Sequence, residues 1–237
     1  MLRPINILKT VLAVTVFSIL TSCCEEDPGP IQEVHKDYPI VDFDQLEMGS
    51  ALNIEVEQGN AFSVKVKGDR RNIDDLNVYK NGNTLVVEFD DDANRHHDTY
   101  ISITMPSLKG VNFSGGSVSK IRGFESDEDL DFYLSGASIS QLDVNYREVE
   151  LVVSGASSLV LFGSGDQFNA EISGASTFKA FDYSVREAVI DVSGASEGKV
   201  AVAEKLKVTA GGASTVLYRG NPSVISNTSG ASTVQKD

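Results

Sequence analysis

Leu130-Asp131-Phe132-Tyr133-Leu134-Ser135-Gly136-Ala137-Ser138 alternates apolar and polar side chains and then breaks into four small residues. Alternation with period two places Leu130, Phe132 and Leu134 on one face of a strand, which a 3.6-residue helical period cannot do. The small phrase that follows returns seven times from residue 114 onward, beginning at Ser114, Ser135, Ser154, Ser173, Ser193, Gly211 and Ser229. Successive starts are 21, 19, 19, 20, 18 and 18 residues apart. A drifting period near 19 is too long for a hexapeptide helix and too short for paired-helix repeats, and it suits one turn of a β-solenoid.

The flanks of the other copies agree. Positions five, three and one before the phrase are Val149/Leu151/Val153, Phe168/Ala170/Ile172, Ala188/Ile190/Val192 and Leu206/Val208/Ala210, all apolar, with mostly polar residues between them. The seventh residue counted from the phrase's first gives a second inward column: Ile121, Leu142, Leu161, Ala180, Val200 and Tyr218. Glycine takes positive φ without steric cost, so Gly115, Gly136, Gly155, Gly174, Gly194, Gly212 and Gly230 are the expected corners. Stacking at the ~4.8 Å strand spacing leaves no room for bulk beside them, and the serines are expected to bridge coils as a hydroxyl ladder. A nucleophilic serine in a glycine elbow is needed once, whereas this serine recurs in every coil. The last coil carries Val224, Ser226 and Thr228 at the inward positions, as a solvent-facing cap or a pairing edge requires.

Upstream, residues 38–110 are expected to be β-rich but irregular. Ala51–Glu57 and Ala61–Lys67 alternate around the turn Gln58-Gly59-Asn60, Asn81-Gly82-Asn83 marks a hairpin, and Tyr100–Met105 closes at Pro106. These strands are expected to continue the stack and cover its N-terminal end, a separate sandwich being the alternative. The chain thus divides into 1–22, 23–37, 38–110 and 111–237, an all-β protein with a solenoid of about seven short coils.

The first 22 residues read as a secretory signal, with Arg3 and Lys9 ahead of the apolar run Val11–Leu20. Leu20-Thr21-Ser22-Cys23 resembles the bacterial lipobox, which implies cleavage before Cys23 and a lipid on it; Cys24 fits less well, because it puts Thr21 at the lipobox leucine position. Adjacent Cys23 and Cys24 cannot staple distant segments. Residues 24–37, with Pro28-Gly29-Pro30, suit a flexible tether. Glu25-Glu26-Asp27 resembles the acidic export tag of surface lipoproteins in some Gram-negative bacteria, which implies an outer-membrane, surface-exposed address.

Charge excludes one class of partner. The chain carries 20 Lys and Arg against 34 Asp and Glu, a net charge of −14, and the polyanionic backbone of a nucleic acid needs clustered bases to bind it. Removing residues 1–22 deletes two bases and no acid, so the mature body would be about −16 and would not adhere to anionic lipid by charge. Membrane attachment therefore falls to the lipid.

The stacked Ser-Gly-Ala-Ser phrases, the hairpin strand Gly82–Val87 and the strand ending in Met105-Pro106 resemble the head GIN domain family over residues 38–235. The resemblance implies a right-handed β-helical body and an adhesin of the kind found as lipoproteins in Bacteroidetes-type bacteria. It implies no catalytic or ligand residues.

Candidate chemistry is sparse. Asp90, Asp92, His96 and His97 could ligate a divalent metal, but neighbouring histidines on a strand face opposite ways and the aspartate run lacks the spacing of a calcium loop, so a solvated loop is the preferred reading and no metal or other cofactor is expected. Asp127-Glu128-Asp129 reads as a solvated acidic turn. The outward acids Asp131, Glu150, Glu171 and Asp191 are spread over successive coils, Glu150 and Glu171 in different columns, so no paired carboxylates for glycan cleavage are expected. Tyr133, Tyr146, Tyr183 and Tyr218 are candidate surface aromatics. The function expected is a non-catalytic recognition module for a glycan or a protein. The alternatives are an envelope protein that forms homo-oligomers through its terminal coil and, further behind, a polysaccharide-acting enzyme.

Overall fold

The computed structural model describes residues 29–91 and 95–237, and Ile31–Asp237 form one compact unit. The described residues are all-β, apart from one short helix, α1 (Arg70–Asp74). Five long strands make the regular body: β9 (Val118–Leu134), β10 (Ile139–Val153), β11 (Ser158–Ile172), β12 (Thr177–Val192) and β13 (Glu197–Ala210). Each pairs in parallel with the next. The Ser-Gly-Ala-Ser corners separate them, so every coil has a pre-corner and a post-corner segment that stack into two ladders.

At the corners the glycine φ angles lie between 66° and 78°. Backbone hydrogen bonds run from coil to coil: the Ala156 amide donates to the Gly136 carbonyl and Ala175 to Gly155, both at 2.8 Å. A Cβ on Gly155, Gly174 or Gly194 would overlap the carbonyl oxygen of the preceding corner. The alanines beside them are exposed, so the steric restriction falls on the glycine. The phrase's last serine turns inward and is buried in Ser117, Ser138, Ser157, Ser176, Ser196 and Ser214. The Ser138 amide donates to Ser157 Oγ, Ser157 to Ser176 and Ser176 to Ser196, at 3.3, 3.4 and 3.3 Å. This is the expected hydroxyl ladder, and it satisfies amides that water cannot reach.

The drifting period has a local cause. Coil lengths change only at the bends away from the corner: β9 carries an extra residue at Gly123 and another near Asp127–Glu128, and β12 carries extra residues around Phe181–Tyr183. The corners and the inward columns keep register, because a one-residue slip there would turn a whole strand inside out. The columns expected to face inward are buried in every regular coil, including Leu130, Phe132, Val149, Phe168, Ile190 and Leu206.

The N-terminal strands continue the same stack. β2 (Gln45–Met48) pairs in parallel with β8 (Gly110–Phe113), and β3 (Asn53–Gln58) with β9, so this coil sits directly on the first regular one. Its corner is Gly49-Ser50-Ala51, where Ser50 and Ala51 take φ of 57° and the Ala51 amide donates to the Gly115 carbonyl at 2.9 Å. Above it lie β6 (Thr84–Phe89), paired with β2, and β7 (Tyr100–Met105), paired with β3. β6 ends and β7 begins on the two sides of the stack that flank the corner in the other coils.

The final layer reverses direction. β4 (Ser63–Asp69) lies antiparallel to β7, and β5 (Leu76–Asn81) antiparallel to β6, with α1 joining them. Asp69 caps α1 and is buried, accepting from Arg71 N at 2.9 Å, Gln32 N at 2.8 Å and Arg71 Nε at 2.7 Å. β1 (Glu33–Tyr38) pairs antiparallel with β4, so residues 33–37 are strand and not tether. β1 satisfies the backbone groups on the outer edge of β4, and pairing through the backbone needs no apolar alternation in the added strand. The far end of the stack is formed by β14 (Thr215–Arg219), β15 (Ser223–Thr228) and β16 (Thr233–Lys236), and all six β15 residues are exposed.

Candidate functional site

The coil interior is filled by side chains, so a ligand must be met on the outside. A groove of about 560 Å³ crosses the outer face of the post-corner ladder, over β7, β3, β9, β10 and β11. Two outward rows build it, each running along the stack. The first places Tyr100, Asn53, Val118 and Ile139 side by side in register. The second places Ser102, Glu55, Lys120, Gln141 and Val160. Tyr100, Val118 and Ile139 are 46%, 47% and 54% exposed; Val118 and Ile139 adjoin, and Tyr100 stands beyond Asn53 in the same row. Beneath it, Ser119 Oγ donates to Ser140 Oγ at 2.7 Å, which ties together the coils that form the floor. The Tyr100 hydroxyl donates to Asp98 at 3.1 Å, which raises its pKa and keeps the phenol protonated.

The two outer faces differ in charge. The second row continues on both sides of the groove, from Lys65 on β4 through Lys120 to Lys179 and Lys199. Lys65, Lys120 and Lys179 carry no ion pair among the described residues, whereas Lys199 holds Glu197 at 2.9 Å. On the pre-corner face, Asp131 stands next to Glu150 in register, and Glu171 next to Asp191. The four acids thus fall into two neighbouring pairs, a closer association than their spread over the sequence suggests, and like charges side by side repel. A shallow depression of about 260 Å³ contains Glu150, Glu171 and Asp191.

Asp90 accepts from Asn77 Nδ2. His96 is exposed. The Nε2 of His97 lies 4.0 Å from Asp69, and its carbonyl accepts from Asn72 at 2.7 Å. Asp92 and Cys23 lie outside the described residues. Among the described residues no three His, Cys, Asp or Glu side chains gather as a metal site. Asp129 pairs with Arg147 at 2.5 Å and Glu128 with Lys109 at 2.9 Å, so the acidic turn is partly neutralised. Of the four tyrosines, Tyr133 is a surface aromatic. Tyr146 and Tyr183 are core residues, because their alternation in the third side of the coil turns them inward. Tyr218 is half-buried against the core.

Sequence reasoning missed the groove. Its signal was present: the residue directly after the phrase is polar in Ser158, Thr177, Glu197, Thr215 and Thr233 but apolar in Val118 and Ile139. Tyr100 and Asn53 join that column only through the pairing of β7 and β3, which no repeat announces.

The fold is shared with solved structures. A "putative adhesin" from Bacteroides fragilis superposes with a TM-score of 0.77 at 18% identity, covering 87% of this chain and 97% of its own. One from Parabacteroides merdae gives 0.68 at 18%, over 86% and 96%. A "putative lipid binding protein" from Parabacteroides distasonis gives 0.70 at 19%, also over 86% and 96%. No curated protein matches the chain. Residues 42–222 match the family described as "Putative auto-transporter adhesin, head GIN domain", and with most of the chain covered, the protein belongs to that head GIN domain family.

Proposed function

We propose that the protein is a surface-anchored, non-catalytic recognition module that binds its partner in the groove between Tyr100 and Val160, and that Cys23 carries the lipid that holds it to the outer membrane. The observation that carries the reading is the exposed row of Tyr100, Asn53, Val118 and Ile139 on one hydrogen-bonded ladder. Exposed apolar surface rimmed by polar groups marks an interaction site. A pre-formed face also loses little conformational entropy on binding. The adhesin description of the family agrees with this role.

The test is a glycan and matrix-protein array probed with the full chain in detergent, alongside Ile139→Asp. Ligands retained by the wild type and lost by the variant support the reading; silence across the array, or binding indifferent to Ile139, opposes it. Self-association through the terminal coil is a second reading, supported by the charge-free, fully exposed β15. It predicts a dimer in light scattering that disappears with Ile225→Lys.

A further inference from the structure

We infer that the occupant of the groove is an acidic polysaccharide lying along the stack, its sugar faces on the row of Tyr100, Val118 and Ile139 and its carboxylate or sulfate groups on the lysine row. The inference rests on the recognition reading above and deepens it.

Three features select this chemistry. The first is the spacing of charge. Lys65, Lys120 and Lys179 stand in one row, each three strands from the next, at roughly 14 Å intervals. None of the three has an ion pair among the described residues, and Glu55 is the acid set between them. A long anionic chain meets such a row repeatedly, where a compact anion would meet one lysine.

The second is the contrast between faces. The pre-corner face presents Asp131 beside Glu150 and Glu171 beside Asp191. A polyanion is repelled from that side and steered to the lysine row.

The third is the absence of a free strand edge in the groove. β7, β3, β9, β10 and β11 each have a hydrogen-bonded neighbour on both sides, so an extended peptide cannot add to the sheet through its backbone. A sugar chain needs only what the face offers. The Tyr100 ring and the Val118 and Ile139 side chains take its C–H faces, while Asn53, Gln141 and Lys120 take its hydroxyl and carboxylate oxygens.

The experiment measures binding of polygalacturonate oligomers to the full chain in detergent. Methyl-esterified oligomers and poly-glutamate of equal length serve as comparisons, each at low salt and at high salt. The inference expects polygalacturonate to bind best and to weaken with salt. Lys120→Gln should weaken it about tenfold, as loss of one charge-assisted contact implies, and Ile139→Asp more. Glu150→Gln on the pre-corner face, outside the groove, should leave it unchanged. Circular dichroism of the variants confirms the fold, and Lys120, half-exposed, can be changed without disturbing the core. Equal binding of the methyl ester would overturn the role of charge, and equal binding of poly-glutamate would overturn the role of the sugar. Absence of polygalacturonate binding would overturn the inference while leaving general recognition intact if the array shows another ligand lost in Ile139→Asp.

Discussion

The amide of Ala175 donates to the carbonyl of Gly155, 2.8 Å away and one coil earlier, and the same bond links Ala195 to Gly174. This approach of corner to corner requires that nothing stand on the glycine Cα. At Gly174, φ is 78°, and an added Cβ would overlap the Gly155 carbonyl oxygen. Gly174→Val therefore incurs both backbone strain and a contact with backbone that cannot swing aside. The expected loss is about 1–3 kcal/mol from the conformation, read as a fall in melting temperature of roughly 3–10 °C. Ala175→Ser, one residue on and exposed, should melt with the wild type. Equal melting of the Gly174 variant would show that the corner relaxes without the close contact.

The same contrast explains what could be read in advance. The inward columns and the seven corners were legible because each states its chemistry in every coil. Leu134 and Val153 repeat one position, as Gly136 and Gly155 repeat another. The coil formed by β2 and β3 was harder. Its corner takes positive φ at Ser50 and Ala51 in place of glycine, and Asn53 lies 65 residues from Val118, its register partner on β9. β1 was hidden for a different reason: Glu33–Tyr38 joins the sheet by backbone bonds to β4, which side-chain patterning does not record. The groove required lateral register, since Tyr100 and Val118 become neighbours only by flanking Asn53.

Burial pushes the Tyr183 phenol up to about 12, against an ordinary value near 10. Below pH 10 the phenol is protonated in both folded and unfolded chains and adds no pH dependence. Between about pH 10 and 12 the unfolded chain gives up the proton and the folded one keeps it, so stability falls as pH rises. Tyr183→Phe should flatten part of that alkaline slope in denaturant titrations. At pH 7 it should cost little, since the hydroxyl stands near the Tyr146 backbone without forming a well-aligned hydrogen bond. Tyr146→Phe should differ at pH 7, because the Tyr146 hydroxyl donates to the buried Leu108 carbonyl at 2.6 Å. Its removal leaves that acceptor unpaired, at a cost of about 1–3 kcal/mol. A slope unchanged in Tyr183→Phe would place the alkaline titration elsewhere.

Asp69 gathers donors from two directions. Arg71 reaches both of its oxygens, at 2.7 Å each, and the Gln32 amide adds a bond at 2.8 Å. The Arg71 hydrogen bonds and the two backbone amides hold its pKa well below the usual carboxylate range, despite the opposing effect of burial. A depressed folded pKa gives stability that is complete above the unfolded value, near 3.9, and is lost as pH falls through the folded one. Asp69→Asn cannot accept all these donors and should cost about 1–3 kcal/mol at pH 7. The gap between wild type and variant should hold from pH 7 to about 5 and close in more acidic solution. Hydrogen exchange should show the loss concentrated in β1 and α1. A gap that widened on acidification would contradict the sign of the linkage.

Under the proposed anchoring, Cys23 holds the body to the membrane, and charge makes its variant informative. A mature chain of about −16 gains nothing from anionic headgroups, so attachment depends on acyl chains, each buried methylene contributing about 0.8 kcal/mol. Wild-type protein should therefore sediment with membranes and resist a high-salt wash, which strips proteins held by charge. Cys23→Ala should appear in the soluble fraction, whereas Cys24→Ala should remain with the membrane, separating the two candidate positions in the lipobox. Retention of Cys23→Ala on membranes after the salt wash would transfer the anchor to Cys24 or to the apolar run Val11–Leu20. Loss of both variants would mean that the two cysteines act together.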